Sequence, residues 1–324
     1  MVDSSGRNIE YLRISVTDRC NLRCIYCMPE TGIKNLEHDE ILTFKEIMLI
    51  VKAVSQLGIR KIKITGGEPL VRKGIVNLVR RIKDIDGIEE ITMTTNGVLL
   101  GDMADDLAEA GLDAVNISLD TLNGSCFNKI TRRDCLDKVK FGLRKSMEIG
   151  LRTKINCVPI AQLNGDSLID IVKIAKENPI DVRFIELMPI GFGKEYLPVC
   201  NKYMFEEIEQ NFGKLQHSEI RHGNGPAEYY NLPDFKGSIG FISPISNEFC
   251  EKCNRIRLTA DGNLKLCLHY NNGVALKPFL RSGISREQLK KVIENAIYNK
   301  PIHHCFNNSN HENIELKNMV QIGG

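Results

Sequence analysis

The chain has 324 residues, 42% apolar and 26% charged, with 43 lysines and arginines against 41 aspartates and glutamates and a formal charge of only +2. That balance excludes a broad field for gathering nucleic acid or a membrane surface, so anion binding must come from local clusters, and the size allows a core that needs no covalent staples. The amino terminus MVDSSGRNIE lacks the apolar centre of a signal peptide, and no apolar run is long enough to span a bilayer; eleven cysteines, an odd number, read as ligands in a cytoplasmic protein rather than as disulfides.

Along the chain, short strand-like stretches alternate with helical ones. Tyr11–Ser15 is the first predicted strand. The clearest helix follows at Lys45–Leu57, where Thr43 and Glu46 fit a capping box, Ile47, Ile50, Val51 and Val54 form one apolar stripe, and Gly58 ends it. Further strands are predicted at Ile62–Thr65, Ile91–Thr94, Val115–Leu119, Lys154–Val158 and Val182–Leu187. One strand and one helix per unit predicts an α/β protein built on a parallel sheet. With about six strands rather than eight, the expected form is a partial, open (β/α)6-type TIM-like barrel over residues 1–220. The segments GGEP (Gly66–Pro69), TTNG (Thr94–Gly97), SLD (Ser118–Asp120) and LMP (Leu187–Pro189) each fall at the carboxyl end of a predicted strand, the rim on which such barrels build their sites.

After about residue 220 the alternation stops, and RHGNGP and LPDFKGSIGFISP are rich in glycine and proline. Residues 221–324 therefore read as a smaller carboxy-terminal domain. Asp261–Gly262, between RIRLTA and NLKLCL, signals a hairpin that folds Cys267 back toward Cys250 and Cys253. From about Ser282 the chain reads as helix and then a polar tail ending in IGG.

Six cysteines fall into two close groups: Cys20, Cys24 and Cys27, then Cys250, Cys253 and Cys267. The remaining five (Cys126, Cys135, Cys157, Cys200 and Cys305) read as buried small apolar residues. Structural zinc takes four protein ligands, and after Cys27 neither histidine nor cysteine occurs before His38. An iron–sulfur cube tolerates three thiolates and leaves one iron open, so the first triplet favours a cluster. For the second triplet zinc is a serious alternative, since His269 could complete a three-cysteine, one-histidine shell. Arg13, Lys63 and Lys154 lie on predicted strands that a barrel would bury, and Arg255 and Arg257 alternate on one face of the hairpin. Each alone is more simply a solvated strand end or half of an internal salt bridge. Together they favour a polyanion, because a buried cation is costly without a counter-charge and arginine forks suit phosphate.

Cys20-x3-Cys24-x2-Cys27, with Tyr26 before the last cysteine, resembles the cluster loop of radical S-adenosylmethionine enzymes, and GGEP resembles their glycine-rich segment. CNRIRLTADG, TDRCNLRCIYCMP, ITGGEPL, GPAEYY, IGFISPIS and the terminal GG further resemble the GTP 3′,8-cyclase family of molybdenum cofactor biosynthesis, from about Tyr11 to Gly324. The resemblance implies two 4Fe–4S clusters, one on each cysteine triplet, and S-adenosylmethionine contacted by Tyr26, Gly67, Ser118 and Met188. It implies GTP contacts at Arg13, Lys63, Thr94, Lys154, Arg255 and Arg257, with the guanine on the second cluster. It also implies catalytic parts for Arg255, Arg257 and a Gly323–Gly324 tail that reaches the site. The reaction implied is hydrogen removal from C3′ of GTP followed by bond formation to C8. Expected partners are an electron donor of flavodoxin or ferredoxin type and a downstream cyclic pyranopterin monophosphate synthase, with a monomer or homodimer, no nucleic acid and no membrane. Two alternatives stay open at this point: a peptide-modifying radical enzyme with an auxiliary cluster, and a zinc-stabilised binding or redox-sensing protein.

Overall fold

Six strands in the first half of the chain pair in sequence order: β1 (Tyr11–Ser15), β2 (Lys61–Thr65), β3 (Glu90–Thr95), β4 (Ala114–Ser118), β5 (Arg152–Cys157) and β6 (Asp181–Ile185). All five pairings are parallel. This computed structural model describes residues 1–220, 222–304, 306 and 314–323. Helices α1 (Phe44–Gln56), α2 (Ile75–Lys83), α3 (Leu100–Glu109), α4 (Gly124–Thr131), α5 (Leu136–Glu148) and α6 (Leu168–Glu177) fill the crossovers. Each turns an apolar stripe onto the sheet. In α1 it is Ile47, Ile50, Val51 and Val54, and the Thr43–Glu46 capping box fixes its start as the sequence predicts.

The carboxy-terminal segment does not form a separate layer. After α7 (Asn201–Phe212) come β7 (Gln216–Ser218), β8 (Glu228–Asn231) and β9 (Ile239–Ile242), then β10 (Arg255–Leu258), β11 (Asn263–Lys265) and β12 (Gly273–Ala275). β9 lies parallel beside β6 and β10 lies parallel beside β1, so eight parallel strands sit in one twelve-stranded sheet with antiparallel extensions at both ends. The six-stranded barrel of the sequence reading is thus widened by two strands from beyond residue 220. Their flanks lack the helical crossovers that would mark them as barrel strands, so the pattern missed β9 and disclosed β10 only as one arm of a hairpin.

The predicted hairpin is β10–β11, with Arg257 opposite Lys265 and a turn over residues 259–262. The helix predicted after Ser282 is α9 (Arg286–Tyr298), preceded by the short α8 (Leu276–Arg281). The tail, read from the sequence as polar, carries one further helical turn, α10 (Met319–Ile322). Of the five scattered cysteines only Cys157 is fully buried; Cys126 and Cys135 are half-buried and Cys200 is exposed, while Cys305 lies outside the described residues. No helix among the described residues is long and apolar enough to cross a membrane.

Candidate active site

The loop leaving β1 carries Cys20, Cys24 and Cys27, and three neighbours fix it. Gly67 and Glu68 donate their backbone N–H groups to the carbonyls of Thr17 and Arg19 at 2.7 and 2.8 Å. A Cβ on Gly67 would stand 2.4 Å from the Arg19 carbonyl oxygen, so only glycine lets the two backbones meet. The sequence suggested that GGEP approaches a ligand; the backbone it meets first is the cysteine loop itself. From the far side Arg132, at the end of α4, donates to the carbonyls of Arg23 and Met28 at 3.1 and 3.2 Å. From β3, Asn96 donates to the Asn21 side chain at 2.7 Å and to Cys20 Sγ at 3.8 Å. The Glu68 carboxylate accepts from Leu70 N, Thr95 Oγ1 and Asn96 N at 3.0, 2.7 and 2.7 Å, which ties GGEP to TTNG.

Burial pushes the Cys20 thiol up to about 11 and Cys27 to about 12, and it lifts Cys24 well above the ordinary thiol range with help from Cys27 and Asp120. Such thiols keep their protons at neutral pH until a cation displaces them. In the second triplet burial also raises Cys250. At Cys253 burial pushes the same way, but the charges of Arg255 and Lys300 outweigh it and hold the thiol down to about 7.

The donor sets fit clusters better than single ions. Among the described residues the one set of three histidine, cysteine or carboxylate ligand atoms lying within 4.8 Å of one another is Glu248, Cys250 and His303. Neither triplet draws its three sulfurs that close, although thiolates on one zinc stand roughly 3.8 Å apart given a Zn–S bond of about 2.3 Å. His269 does not join Cys250, Cys253 and Cys267 in so tight a group either; its ring packs against Phe306 at 4.4 Å and Tyr270 at 4.8 Å. Two all-sulfur sets of three suit iron–sulfur cubes, which tolerate three thiolates and leave one iron open.

Both triplets open into one cavity of about 730 Å³. Tyr26, Gly67, Ser118 and Met188 line it, as do Arg13, Lys63, Thr94, Lys154, Arg255 and Arg257. Register explains the gathering: Arg13 on β1 stands opposite Arg257 on β10 and Lys63 on β2, and inward positions recur every second residue. Lys63 is buried and makes no ion pair among the described residues. Burial, then Arg183 and Arg13, push it well below the usual lysine range. Lys154 differs, since Asp181 holds it at 2.8 Å and the Tyr229 hydroxyl accepts from it at 3.1 Å. Arg255 lies over the Phe249 ring at 4.9 Å.

The sequence reading gave no role to Arg183, Asp181 or His222, and placed Asp120 on the rim within SLD without assigning it a contact; all four line the cavity. Arg183 is buried, donates to Asn156 at 2.6 Å and carries an Nε without a hydrogen-bond partner among the described residues. The signal for it was available: an arginine inside an apolar strand, as with Arg13. Asp120 accepts from the Tyr26 hydroxyl at 2.7 Å and from Val158 N at 2.8 Å, and burial pushes its carboxyl up to about 6. The tail enters the same space. Met319 and Val320 line the cavity, the Val320 N–H reaches Cys27, and the Gly323 carbonyl accepts from Arg257 at 2.7 Å. Gly323 has φ +78, and a Cβ there would meet Ser15 Cβ at 2.8 Å. Gly324 lies outside the described residues.

Comparison with known proteins follows the same division of the chain. A model of the Radical SAM superfamily matches residues 14–177, and one named Molybdenum Cofactor Synthesis C matches residues 180–306. A GTP 3′,8-cyclase of Clostridium perfringens (strain 13 / Type A) is 47% identical over 324 residues, covering 100% of both chains. The chain belongs to the GTP 3′,8-cyclase family. A second member of the cyclase family, from Desulforamulus reducens, is 49% identical over 329 residues, again covering 100% of both chains. Among solved structures, Streptococcus suis SuiB is similar in fold, with a TM-score of 0.62 and 18% identity over 91% of this chain and 67% of that one. Membership of the cyclase family places the chain among radical S-adenosylmethionine enzymes and sets aside the zinc-stabilised alternative.

Proposed function

We propose that the protein converts GTP to (8S)-3′,8-cyclo-7,8-dihydroguanosine 5′-triphosphate, an early step of molybdenum cofactor biosynthesis, by C3′ hydrogen abstraction and C3′–C8 bond formation. One observation carries this reading: both cysteine triplets line one cavity whose strands also bring in Arg13, Lys63, Lys154, Arg183, Arg255 and Arg257. Cys20, Cys24 and Cys27 would hold one 4Fe–4S cluster with S-adenosylmethionine on its open iron, and Cys250, Cys253 and Cys267 the other, facing the guanine. Bound there, the clusters and S-adenosylmethionine supply the one-electron and hydrogen-abstraction chemistry.

The chain's own residues do the positioning. Tyr26, Gly67, Ser118 and Met188 bound the space beside the first triplet and are assigned to S-adenosylmethionine; the Tyr26–Asp120 bond fixes the ring that covers it. Arg257, Arg13 and Lys63 form a row on adjoining strands, with Thr94 two residues further along β3 than the position opposite Lys63; the row suits a triphosphate, whose charge would offset the burial and the neighbouring cations that depress Lys63. Lys154 joins that row once phosphate competes with Asp181. Gripping GTP by triphosphate and base at opposite ends fixes C3′ between them, and such fixing accounts for much of a rate enhancement. Arg255 and Arg257 are assigned to charge developing during ring closure, and Gly323 and Gly324 to the wall that excludes water.

The reductant is proposed to be of flavodoxin or ferredoxin type, the product to pass to cyclic pyranopterin monophosphate synthase, and the protein to act in the cytoplasm as a monomer or homodimer. Anaerobic assay of reconstituted protein tests the reading: GTP is expected to trigger 5′-deoxyadenosine formation. Formation with a peptide and not with GTP would overturn it in favour of peptide modification.

A further inference from the structure

Lys300 is a buried ammonium, 4% exposed, with no carboxylate partner among the described residues. It lines the cavity and its Nζ donates to the carbonyl of Leu266 next to Cys267; burial pushes it below the usual lysine range, while negative charge on Cys253 and Cys267 opposes that fall. A lone buried cation is costly unless an anion answers it. An iron–sulfur cube on three thiolates is such an anion, and reduction adds a further negative charge.

Its position is imposed from the other end of the chain. Arg7 is buried and uses all five of its N–H donors. Nε donates to Asp3 at 2.7 Å, Nη1 to the carbonyls of Cys250 and Ile302 at 3.1 and 3.0 Å, and Nη2 to those of Lys300 and Pro301 at 3.1 and 2.8 Å. One guanidinium therefore fastens residues 300–302 to the first cysteine of the second triplet, with the amino-terminal turn as its anchor.

We propose that Lys300 is the charge partner of the cluster on the second triplet, raising that cluster's reduction potential, and that Arg7 is the positioning residue that holds Lys300 and Cys250 together. The inference rests on the second triplet holding a cluster. It adds an electrostatic role for a lysine remote from the cysteine motif, and it makes the amino-terminal turn part of the site.

The test is an anaerobic redox titration followed by electron paramagnetic resonance, with iron counted in the same samples. Wild-type protein should hold about eight irons per chain and two signals. Lys300→Met should keep the first signal and move the second cluster's midpoint to more negative potential, and Lys300→Arg should restore it. Arg7→Lys, which cannot span five acceptors, should drop the iron to about four per chain while the first signal persists. Loss of the second cluster from Lys300→Met with recovery in Lys300→Arg also supports the charge role. Loss from both, or an unchanged midpoint in Lys300→Met, overturns it. An undiminished second cluster in Arg7→Lys overturns the role of Arg7. Wild-type protein with about four irons and one signal contradicts the cluster assignment itself, a result distinct from those failures.

Discussion

Arg257 on β10 is buried beside Arg13 of β1. Burial, with Arg13 and Arg255 beside it, pushes it well below the ordinary arginine range, and its guanidinium donates to the Gly323 carbonyl at 2.7 Å. A group in that state gains most from an added anion. Arg257→Ala is expected to leave both clusters in place and lower GTP-dependent turnover roughly tenfold to a hundredfold, the loss of one or two charge-assisted bonds; iron content and 5′-deoxyadenosine yield check the two halves separately. Cys24→Ala acts earlier, removing one of only three sulfurs from the first triplet. S-adenosylmethionine cleavage should vanish with or without GTP, as product chromatography would show. The six cysteines were legible from their close spacing in two groups, and the basic residues because such side chains are out of place on buried strands. Gly67 was legible as a glycine but not as the contact between two loops, since that contact depends on a carbonyl 48 residues away, that of Arg19. Lys154 carried the same signal as Lys63, yet Asp181 beside it cannot be paired with it before the β5–β6 register is known.

The tail is held by an element that the sequence pattern hides. Lys265 on β11 and Glu315 are both almost wholly enclosed and form an ion pair, with Lys265 also donating to the Tyr270 carbonyl at 2.7 Å. Nothing in NLKLCL or NIELKN announces this, because each charged residue looks like the polar member of an alternating strand. Removing one partner of a buried pair strands the other charge, so Lys265→Met should cost about 3–5 kcal/mol. Calorimetric melting would measure it, and faster proteolysis beyond residue 313 would show that the tail has come loose. The hairpin turn contributes a pH-dependent term. Although burial raises Asp261, hydrogen bonds from Thr259 and Lys317 and the lysine charge win, so its carboxyl lies below the usual range. A carboxyl depressed on folding stabilises above its unfolded value and loses that contribution as pH falls through the folded value. Melting of the cluster-free chain should therefore weaken below about pH 4, and Asp261→Asn should flatten that slope; an equal slope in the variant would contradict the assignment.

Across the whole molecule, the boundary suggested by the change in texture near residue 220 is not a boundary in the sheet. β9 and β10 pair with the outer strands of the first half. The periodicity of strands and helices disclosed β1 to β6 within a residue or two at most ends. It left out β9 and showed β10 only as a hairpin strand, since their pairing with β6 and β1 is set by neighbours far away in sequence. A fragment of residues 1–220 would expose β1 and β6 as bare edges and leave Arg13 and Lys63 facing an opened cavity. Bare edges invite association, so the fragment should aggregate on size exclusion, while the full chain melts in one transition. A monomeric fragment with an undiminished melting temperature would show that the two parts are independent.

The account centres on GTP lying between two iron–sulfur clusters with its base on the second. Electron paramagnetic resonance of the reduced, reconstituted protein, recorded with and without GTP, tests this most directly. The account predicts that GTP changes the signal of the cluster on Cys250, Cys253 and Cys267 and that labelled guanine nitrogen couples to it. Two signals that stay the same at saturating GTP, with no nitrogen coupling, would contradict it.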